Sequence, residues 1–244
     1  MKFYDFKEDE KRVDIFNERW YRKPNTDKFY RNVTTILGIV DKGYGFQDWI
    51  KGVGYNADII LDRAGKFGSA FHEMVEKFLL GGTVSYYDYT YLGDSVATEL
   101  WERFSLWQDW WQELNAEHEV KYKPEGIEHI IYCDKYEYAG TIDFLCTVDG
   151  EPTIFDWKTS KDIYDTYKQQ LSAYMNPYSI KKGFLVQFPQ GRKNCKKKGY
   201  RVVEVDRPEE RFDLFLSAKK LFDSEYKDKP KVLSLPLEYK IGEQ

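Results

Sequence analysis

Two long segments in the first half of the chain carry apolar side chains at intervals of three and four residues. The segment 56–80 ends at Gly81-Gly82, and its apolar positions are Ile59, Ile60, Ala64, Phe67, Phe71, Val75, Phe78 and Leu79. The segment 94–115 places four aromatic residues on or near one face: Trp101, Phe104, Trp107 and Trp111. Such spacing is typical of amphipathic α-helices, and paired glycines indicate a helix end. We therefore predict two long helices.

Shorter elements are predicted on either side of these helices. Strands are expected over 118–123, 127–133, 138–148, 151–159, 183–188 and 200–206, and helices over 165–178 and 207–226, the latter with Pro208 in its first turn. A short helix capped by Thr34 or Thr35 should run through Ile39 and be broken by Gly43 and Gly45, and another is predicted over 46–52. Residues 1–32 show no decisive pattern, and the tail after residue 227 is expected to be irregular. This order predicts a mixed α/β fold, a core with helical additions on its N-terminal side.

The dipeptide Asp149-Gly150 separates two of the predicted strands, 138–148 and 151–159. Asp-Gly between two strands is a strong signal for a two-residue turn in which both residues adopt positive φ. If this turn closes a β-hairpin, the two residue numbers of every facing pair have the same sum as those of Asp149 and Gly150. Asp143 then lies directly opposite Asp156. Lys158, two residues beyond Asp156, projects from the same face of the hairpin.

Two carboxylates that face each other across a strand pair repel and destabilise the sheet, so a cation is expected between Asp143 and Asp156. Hard oxygen ligands favour Mg²⁺ or Mn²⁺. A lysine beside such an ion can orient water or stabilise negative charge, as in metal-assisted phosphodiester hydrolysis. Taken alone, the hairpin fits equally well with ordinary solvent-facing charges, because charged residues are common on exposed strands.

The chain of 244 residues has a formal net charge of −4, which argues against a protein that coats nucleic acid through a generally basic surface. Any contact with nucleic acid must then use local basic patches. One candidate is the connection between two late strands, which carries five basic residues: Arg192, Lys193, Lys196, Lys197 and Lys198. This run could follow a phosphate backbone, or it could be a solvated loop. Aromatic residues make up 18% of the chain, and some of them could stack on bases.

Cysteine content and hydropathy indicate the expected compartment. Cys133, Cys146 and Cys195 are too few and too scattered for a disulfide framework, and they suit a reducing cytoplasm. No apolar run approaches the length of a membrane span. The acid-rich N-terminal sequence resembles neither a secretory signal nor a typical transit peptide. A cytoplasmic protein, bacterial or encoded by a phage of bacteria, is expected.

Further features occur in a fixed order around the hairpin. His72 follows Gly68 on the first long helix, Glu128 begins the strand before the hairpin, Gly140-Thr-Ile-Asp143 lies within the hairpin, and Asp156-Trp-Lys158-Thr159 follows. Gln170 and Tyr174 are four residues apart on the next helix and share a face. Together these features resemble the PD-(D/E)xK nuclease superfamily, in its RecB-like branch. The segment Asn32-Val-Thr-Thr-Ile-Leu, followed by Trp49, resembles the start of the mitochondrial genome maintenance exonuclease group. The resemblance covers roughly residues 32–190.

The resemblance implies a single nuclease domain over 1–244 with a restriction-endonuclease-like core, a central mixed sheet flanked by helices. Residues 1–117 would form a mainly helical part with His72, residues 118–206 the catalytic sheet, and residues 207–244 a helix and tail. It also implies that the metal ligands are His72, Asp143, Asp156 and the Trp157 carbonyl. Lys158 would position water or stabilise the phosphorane, and Glu128, Gln170 and Tyr174 would be further catalytic residues. The implied substrate is DNA, single-stranded or with free ends, handled beside replication or recombination proteins.

Several other interpretations remain open from the residues alone. His72 could be a core histidine, Gln170 and Tyr174 could be ordinary helix residues, and the tryptophans near 107–111 are more easily explained by packing than by base stacking. The chain could be an endonuclease for branched or flapped DNA, or an idle DNA-binding module of the same fold. A zinc protein using Cys133, Cys146 and His129 is disfavoured because its ligands lack paired close spacing. Three cysteines cannot ligate a four-cysteine iron–sulfur cluster, and no Walker-type helicase motif is present.

Overall fold

The structure is a computed structural model, and it describes residues 12–15, 18–189 and 199–227. The basic residues between 192 and 198, Cys195 and the tail after residue 227 lie outside the described residues. Six α-helices are present in the described part: α1 Val33–Leu37, α2 Tyr44–Val53, α3 Ala57–Leu79, α4 Asp94–Glu117, α5 Asp165–Met175 and α6 Pro208–Glu225. The nine described strands are β1 Arg12–Ile15, β2 Glu18–Arg22, β3 Phe29–Asn32, β4 Val120–Lys121, β5 Ile127–Cys133, β6 Tyr138–Val148, β7 Glu151–Lys158, β8 Lys182–Gln187 and β9 Arg201–Glu204.

The described strands form one mixed sheet in the order β1-β2-β3-β6-β7-β8-β9, and β4 and β5 also pair with β6. Strand β6 is central because it has partners along both of its edges. On one edge it pairs antiparallel with β4 and β5. On the other edge, β3 pairs in parallel with its first two residues, and β7 pairs antiparallel with its last five. The partners β3 and β7 therefore separate beside the middle of β6, at about residues 140–143.

Two hydrophobic cores cover the two faces of the sheet. One contains side chains from α1, α5 and α6, including Leu171 and Phe215. The other contains side chains from α3 and α4, including Phe71 and Trp107. Layers of helices on both faces leave the inner strands buried on both sides, which explains their nearly continuous apolar sequences. The mixed α/β architecture predicted from the order of elements is confirmed.

The three strands in residues 12–32 extend the sheet and were missing from the prediction. Trp20 and Phe29 are buried on one side of this extension with Val13, and Tyr21 and Tyr30 are buried on the other side. Because both sides bury aromatic residues, the sequence lacks the alternation of polar and apolar residues that normally indicates a strand. The extension also shows how an aromatic-rich composition can reflect packing.

The start of α1 differs in detail from the prediction. The helix begins at Val33, and its cap is Asn32, whose side-chain oxygen accepts a hydrogen bond from the Thr34 backbone N–H. The expected capping by Thr34 or Thr35 is therefore wrong, because both threonines already lie within the first turn. Asn is as good a capping residue as Ser or Thr. Among the described residues, no helix has the length and apolarity needed to cross a bilayer.

Candidate active site

The β6–β7 hairpin has the register that the Asp149-Gly150 turn predicted. Its pairs run from Val148 opposite Glu151 to Phe144 opposite Phe155. Both turn residues have positive φ, 51° at Asp149 and 84° at Gly150. The same register, continued by one residue, sets Asp143 opposite Asp156. The predicted register of the hairpin is confirmed.

Asp143 lies where β3 and β7 separate beside β6. Its Oδ2 atom accepts a hydrogen bond of 2.7 Å from the backbone N–H of Trp157. The carboxylate thus takes the place that a β6 carbonyl would have in a continued ladder, and it stays buried without leaving that N–H unpaired. This contact fixes the Asp143 side chain next to the residues that flank Trp157 in β7, Asp156 and Lys158.

Glu128 adds a third carboxylate at the same level of the sheet. In the β5–β6 pairing, Ile127 faces Phe144 and His129 faces Ile142, so Glu128 falls opposite Asp143. Glu128 has a φ of 46°, a left-handed conformation that is uncommon for a residue with a side chain. Such strain persists only where the surroundings enforce it, and it is concentrated at functional sites.

His72 approaches these carboxylates from α3. Its Nδ1 atom lies 3.3 Å from Asp143 Oδ1 and 3.5 Å from Glu128 Oε1. Ligand atoms of His72, Glu128 and Asp143 all lie within 4.8 Å of one another. The helix brings the imidazole against strands β5 and β6, and its apolar neighbours Phe71 and Val75 are buried in the core.

The charges in this group depend on one another. Burial alone would lower the pKa of His72, but the adjacent Asp143 and Glu128 carboxylates raise it to about 10. Burial raises the pKa of Glu128 against the opposing effect of His72. For Asp143, burial is outweighed by the His72 cation, Lys158 and the Trp157 N–H, and its pKa is lowered. Without a metal ion, a protonated His72 is therefore the cation between these two carboxylates.

Asp156 and Lys158 form a second group, which α5 completes. The Lys158 Nζ atom lies 2.6 Å from Asp156 Oδ2. The side-chain amide of Gln170 accepts from Lys158 Nζ at 3.3 Å, and its Nε2 faces Asp156 Oδ1 at 3.4 Å and Tyr174 Oη at 3.0 Å. Gln170 thus contacts both charged partners, and the predicted proximity of Gln170 and Tyr174 to the hairpin is confirmed.

Asp156 is buried and Lys158 is half-buried, and different effects dominate their pKa values. Burial and the nearby Asp143 raise the pKa of Asp156 to about 6, although Lys158 opposes this shift. Burial alone would lower the pKa of Lys158, but Asp156 and Asp143 raise it. Lys158 therefore remains an ammonium ion at neutral pH, as a group that stabilises developing negative charge must.

Gly140 allows α5 to approach the sheet. A Cβ atom at this position would lie 2.4 Å from Tyr174 Cε1 and 3.0 Å from Tyr174 Oη. The glycine of the Gly-Thr-Ile-Asp segment therefore makes room for the Tyr174 ring, which in turn supports Gln170. The structural reason for this glycine is close packing, and its backbone has no positive φ.

The two groups open into a cleft of about 1090 Å³, whose lining includes His72, Lys158 and Gln170. Two lining residues were not anticipated from the sequence. The ring of Tyr167 lies under Lys158 Nζ at 4.6 Å from its centroid. The buried Arg103 donates a hydrogen bond of 2.7 Å to the Thr159 carbonyl. The spacing of Tyr167, Gln170 and Tyr174 along α5 is a helical signal that could have identified Tyr167.

The His72–Glu128–Asp143 group suits a divalent cation. Its donors are two carboxylates and one imidazole, and carboxylate oxygens are the ligands preferred by Mg²⁺ and Mn²⁺. The carboxylate of Asp156 lies outside this group and is engaged by Lys158 and Gln170. The metal-ligand roles of Asp156 and of the Trp157 carbonyl stay predictions.

The structure also bears on the tryptophans of α4 and on the zinc-site interpretation. Trp107 and Trp110 are buried in the core next to Trp157, so packing explains them, as expected. His129 lies 2.7 Å from the Glu125 carbonyl and 2.7 Å from the Tyr178 hydroxyl. Within the described part of the chain, Cys133, Cys146 and His129 do not form a metal-binding group, which leaves the zinc interpretation without support.

A mixed sheet between two helical layers, with opposed carboxylates and a lysine at the point where its strands separate, defines a restriction-endonuclease-like hydrolase fold. The chain belongs to the PD-(D/E)XK nuclease superfamily, whose sequence model matches residues 50–217. The match includes His72, Glu128, both aspartates, Lys158 and the Gln170–Tyr174 pair.

No protein of curated function matches the chain. A solved structure described as the crystal structure of SSO0001 is similar, with 16% identity and a TM-score of 0.35. The similarity covers 58% of this chain and 64% of that one, so the match spans less than two thirds of SSO0001.

Proposed function

We propose that the protein is a metal-dependent deoxyribonuclease that hydrolyses phosphodiester bonds, and that it is an exonuclease acting on single strands or on DNA ends. The observation that carries this proposal is the arrangement of charges in one cleft. A three-residue group able to hold a cation, His72, Glu128 and Asp143, lies beside a half-buried ammonium group, Lys158. Membership of a nuclease superfamily supports the same chemistry.

The residues that would hold Mg²⁺ or Mn²⁺ are His72, Glu128 and Asp143, with Asp156 and the Trp157 carbonyl as further candidates. When bound, such an ion would lower the pKa of a coordinated water and offset negative charge on the phosphate. His72 is protonated in the metal-free site because its pKa is raised to about 10. It must therefore release a proton before its nitrogen can act as a ligand.

Lys158 would stabilise the negative charge that develops on the phosphate, and would orient the attacking water. Its ammonium group is fixed by Asp156, by Gln170 and by the face of the Tyr167 ring. A donor that is held in place before the reaction stabilises the transition state without further reorganisation. Gln170, supported by Tyr174, would keep the lysine and Asp156 in register.

The exonuclease preference rests on the resemblance to the RecB-like branch and the mitochondrial genome maintenance group. It is also supported by the cleft, which is bordered by the exposed first half of α3, where Ile60 and Arg63 lie. A wall on this side favours entry by a strand end. The proposal extends to a role beside replication or recombination proteins, in a reducing cytoplasm that suits the free, buried Cys133 and Cys146.

The proposal is tested by incubating end-labelled linear and closed circular single-stranded DNA of equal sequence with Mg²⁺, Mn²⁺ or EDTA. We expect the linear strand to be degraded with either metal ion and to survive in EDTA, while the circle remains intact. Cleavage of the circle would establish the endonuclease alternative, with the same metal chemistry. Binding of either strand without hydrolysis under all conditions would instead identify an idle binding module.

A further inference from the structure

The lining of the cleft carries more basic than acidic side chains, although the chain as a whole is acidic. Its lining contains four basic residues, Arg63, Arg103, Lys158 and Lys161, and among the described residues the only carboxylate that lines it is Glu99. Glu99 is already paired with Arg103. The formal net charge of the chain is −4. A cleft whose charge opposes that of the whole molecule attracts and concentrates anionic ligands.

Two of these four cations have no ion-pair partner among the described residues. Arg63 lies in the exposed first half of α3, and Lys161 lies in the connection between β7 and α5. Both line the cleft, both are exposed, and neither forms an ion pair within the part of the chain that the structure describes. The remaining two have defined partners, since Lys158 pairs with Asp156 and Arg103 with Glu99.

Hydroxyl groups accompany these cations in the same cleft, including those of Thr34, Ser95 and Thr159. Arginine, lysine, serine and threonine are the side chains that most often contact phosphate oxygens of nucleic acids. Pockets that enclose a whole small ligand have volumes of up to roughly 1,000 Å³. The volume of this cleft, about 1090 Å³, is slightly larger. The space therefore exceeds what one phosphate group at Lys158 would need.

We propose that Arg63 and Lys161 form a phosphate-binding subsite that holds a backbone phosphate of the nucleic-acid strand adjacent to the one being hydrolysed. The inference rests on the proposed nuclease function, and it assigns strand binding to the described cleft. The buried Arg103 contributes in a different way. It joins α4 to the Thr159 carbonyl and so fixes the segment that leads from Lys158 to Lys161. Binding at this subsite would be independent of base sequence, because phosphate contacts carry no sequence information.

The test uses the full chain and a fluorescein-labelled strand of 20 thymidylates. Its affinity is measured by anisotropy in EDTA between about 50 and 200 mM salt for the wild type, R63A, K161A and the double variant. Each lost phosphate contact should reduce the slope of log affinity against log salt by about 0.7 for a single strand, and the double variant by about 1.4. K220A is the matched control, because Lys220 is an exposed lysine of α6 outside the cleft.

Hydrolysis with Mg²⁺ or Mn²⁺ provides the second measurement. We expect the double variant to raise KM severalfold at unchanged kcat, because the subsite binds substrate and transition state equally. An unchanged salt slope in the double variant, or a wild type that binds no strand, would overturn the subsite. Hydrolysis by the wild type together with an unchanged slope rejects the subsite alone. A reduced slope in a chain that never hydrolyses DNA rejects the proposed function alone. Equal thermal melts of all variants show that the fold is intact.

Discussion

Glu128 in β5 lies directly opposite Asp143 in β6, at a position where Glu128 adopts a left-handed backbone conformation. The β6–β7 register, continued by one residue, sets Asp143 opposite Asp156 in β7, so three adjacent strands carry a row of three carboxylates. Two cations lie against this row in the metal-free protein, His72 at one end and Lys158 at the other, and they offset part of its negative charge. The site is thus divided into a part suited to holding a metal ion and a part suited to stabilising charge on the substrate.

Removal of either member of the Asp156–Lys158 pair should abolish hydrolysis. We expect D156A and K158A to lower kcat by at least roughly two to three orders of magnitude, the loss found when a preorganised charge-stabilising group is removed. Binding of a labelled DNA strand should change little, because most of the affinity comes from phosphate contacts elsewhere. Single-turnover hydrolysis and anisotropy measure the two effects. K123A, an exposed lysine outside the cleft, is the control. Near-normal turnover in both variants would refute the assignment.

Neutralising Glu128 should weaken metal binding while sparing the fold. The substitution E128Q keeps the shape of the side chain but removes one of the three ligand groups, so the metal concentration for half-maximal rate should rise by roughly tenfold or more. The variant should regain activity at high Mn²⁺, which would separate a ligand from a group acting on the substrate. E125Q, an exposed glutamate three residues earlier, should behave as the wild type. Equal metal dependence in E128Q and the wild type would contradict a ligand role.

Metal binding should release a proton from His72 at neutral pH. The pKa of His72 is raised to about 10 in the metal-free protein, so the imidazole is protonated below that pH and must become neutral to bind metal. Metal affinity should consequently increase as pH rises from 7 towards 10, with about one proton released per ion. Calorimetric titration of Mn²⁺ in buffers of different ionisation enthalpy counts these protons. The H72N variant should release fewer, and equal proton release by both proteins would exclude His72 as the source.

The sequence predicted the hairpin and its register because a two-residue Asp-Gly turn determines which residues of the strands on its two sides face each other. It could not predict the position of Glu128 opposite Asp143. Four residues separate β5 from β6, and a connection of that length does not determine the register by itself. The strands of residues 12–32 were missed for another reason. Their aromatic residues lie on both sides of the sheet, which removes the periodicity that would have indicated strands.

The features of the site that depend on packing were also beyond the sequence. The contact between Tyr167 and Lys158 requires the distance from α5 to the end of β7, which no local pattern determines. By contrast, His72, Gln170 and Tyr174 could be proposed from the order of motifs, because a family resemblance includes tertiary information. The basic run from Arg192 to Lys198 remains a prediction, since it lies outside the described residues.

Gly140 should be intolerant of a methyl group. The substitution G140A would place Cβ 2.4 Å from the Tyr174 ring, and displacement of that ring should cost about 1–3 kcal/mol of the free energy of unfolding. Because Tyr174 supports Gln170, hydrolysis should also decrease. Gly65 offers a matched control in α3, where an added Cβ meets nothing within 4 Å. There the G65A variant should be stabilised by about 0.5–1 kcal/mol, since alanine favours helices. Denaturant unfolding of both variants tests the contrast, and equal stabilities would contradict it.

The face of the Tyr167 ring should be needed for full activity, and its hydroxyl should not. The Lys158 ammonium lies 4.6 Å from the ring centroid, a distance at which the π-electrons attract a cation. The Y167F variant keeps this attraction and should retain kcat. The Y167L variant loses it, along with about 0.5–2 kcal/mol of interaction with the lysine, and its kcat should fall by up to roughly thirtyfold if that energy holds the ammonium in place. Steady-state hydrolysis at saturating DNA gives kcat directly. A Y167L enzyme as fast as Y167F would show that Asp156 and Gln170 position Lys158 without the ring.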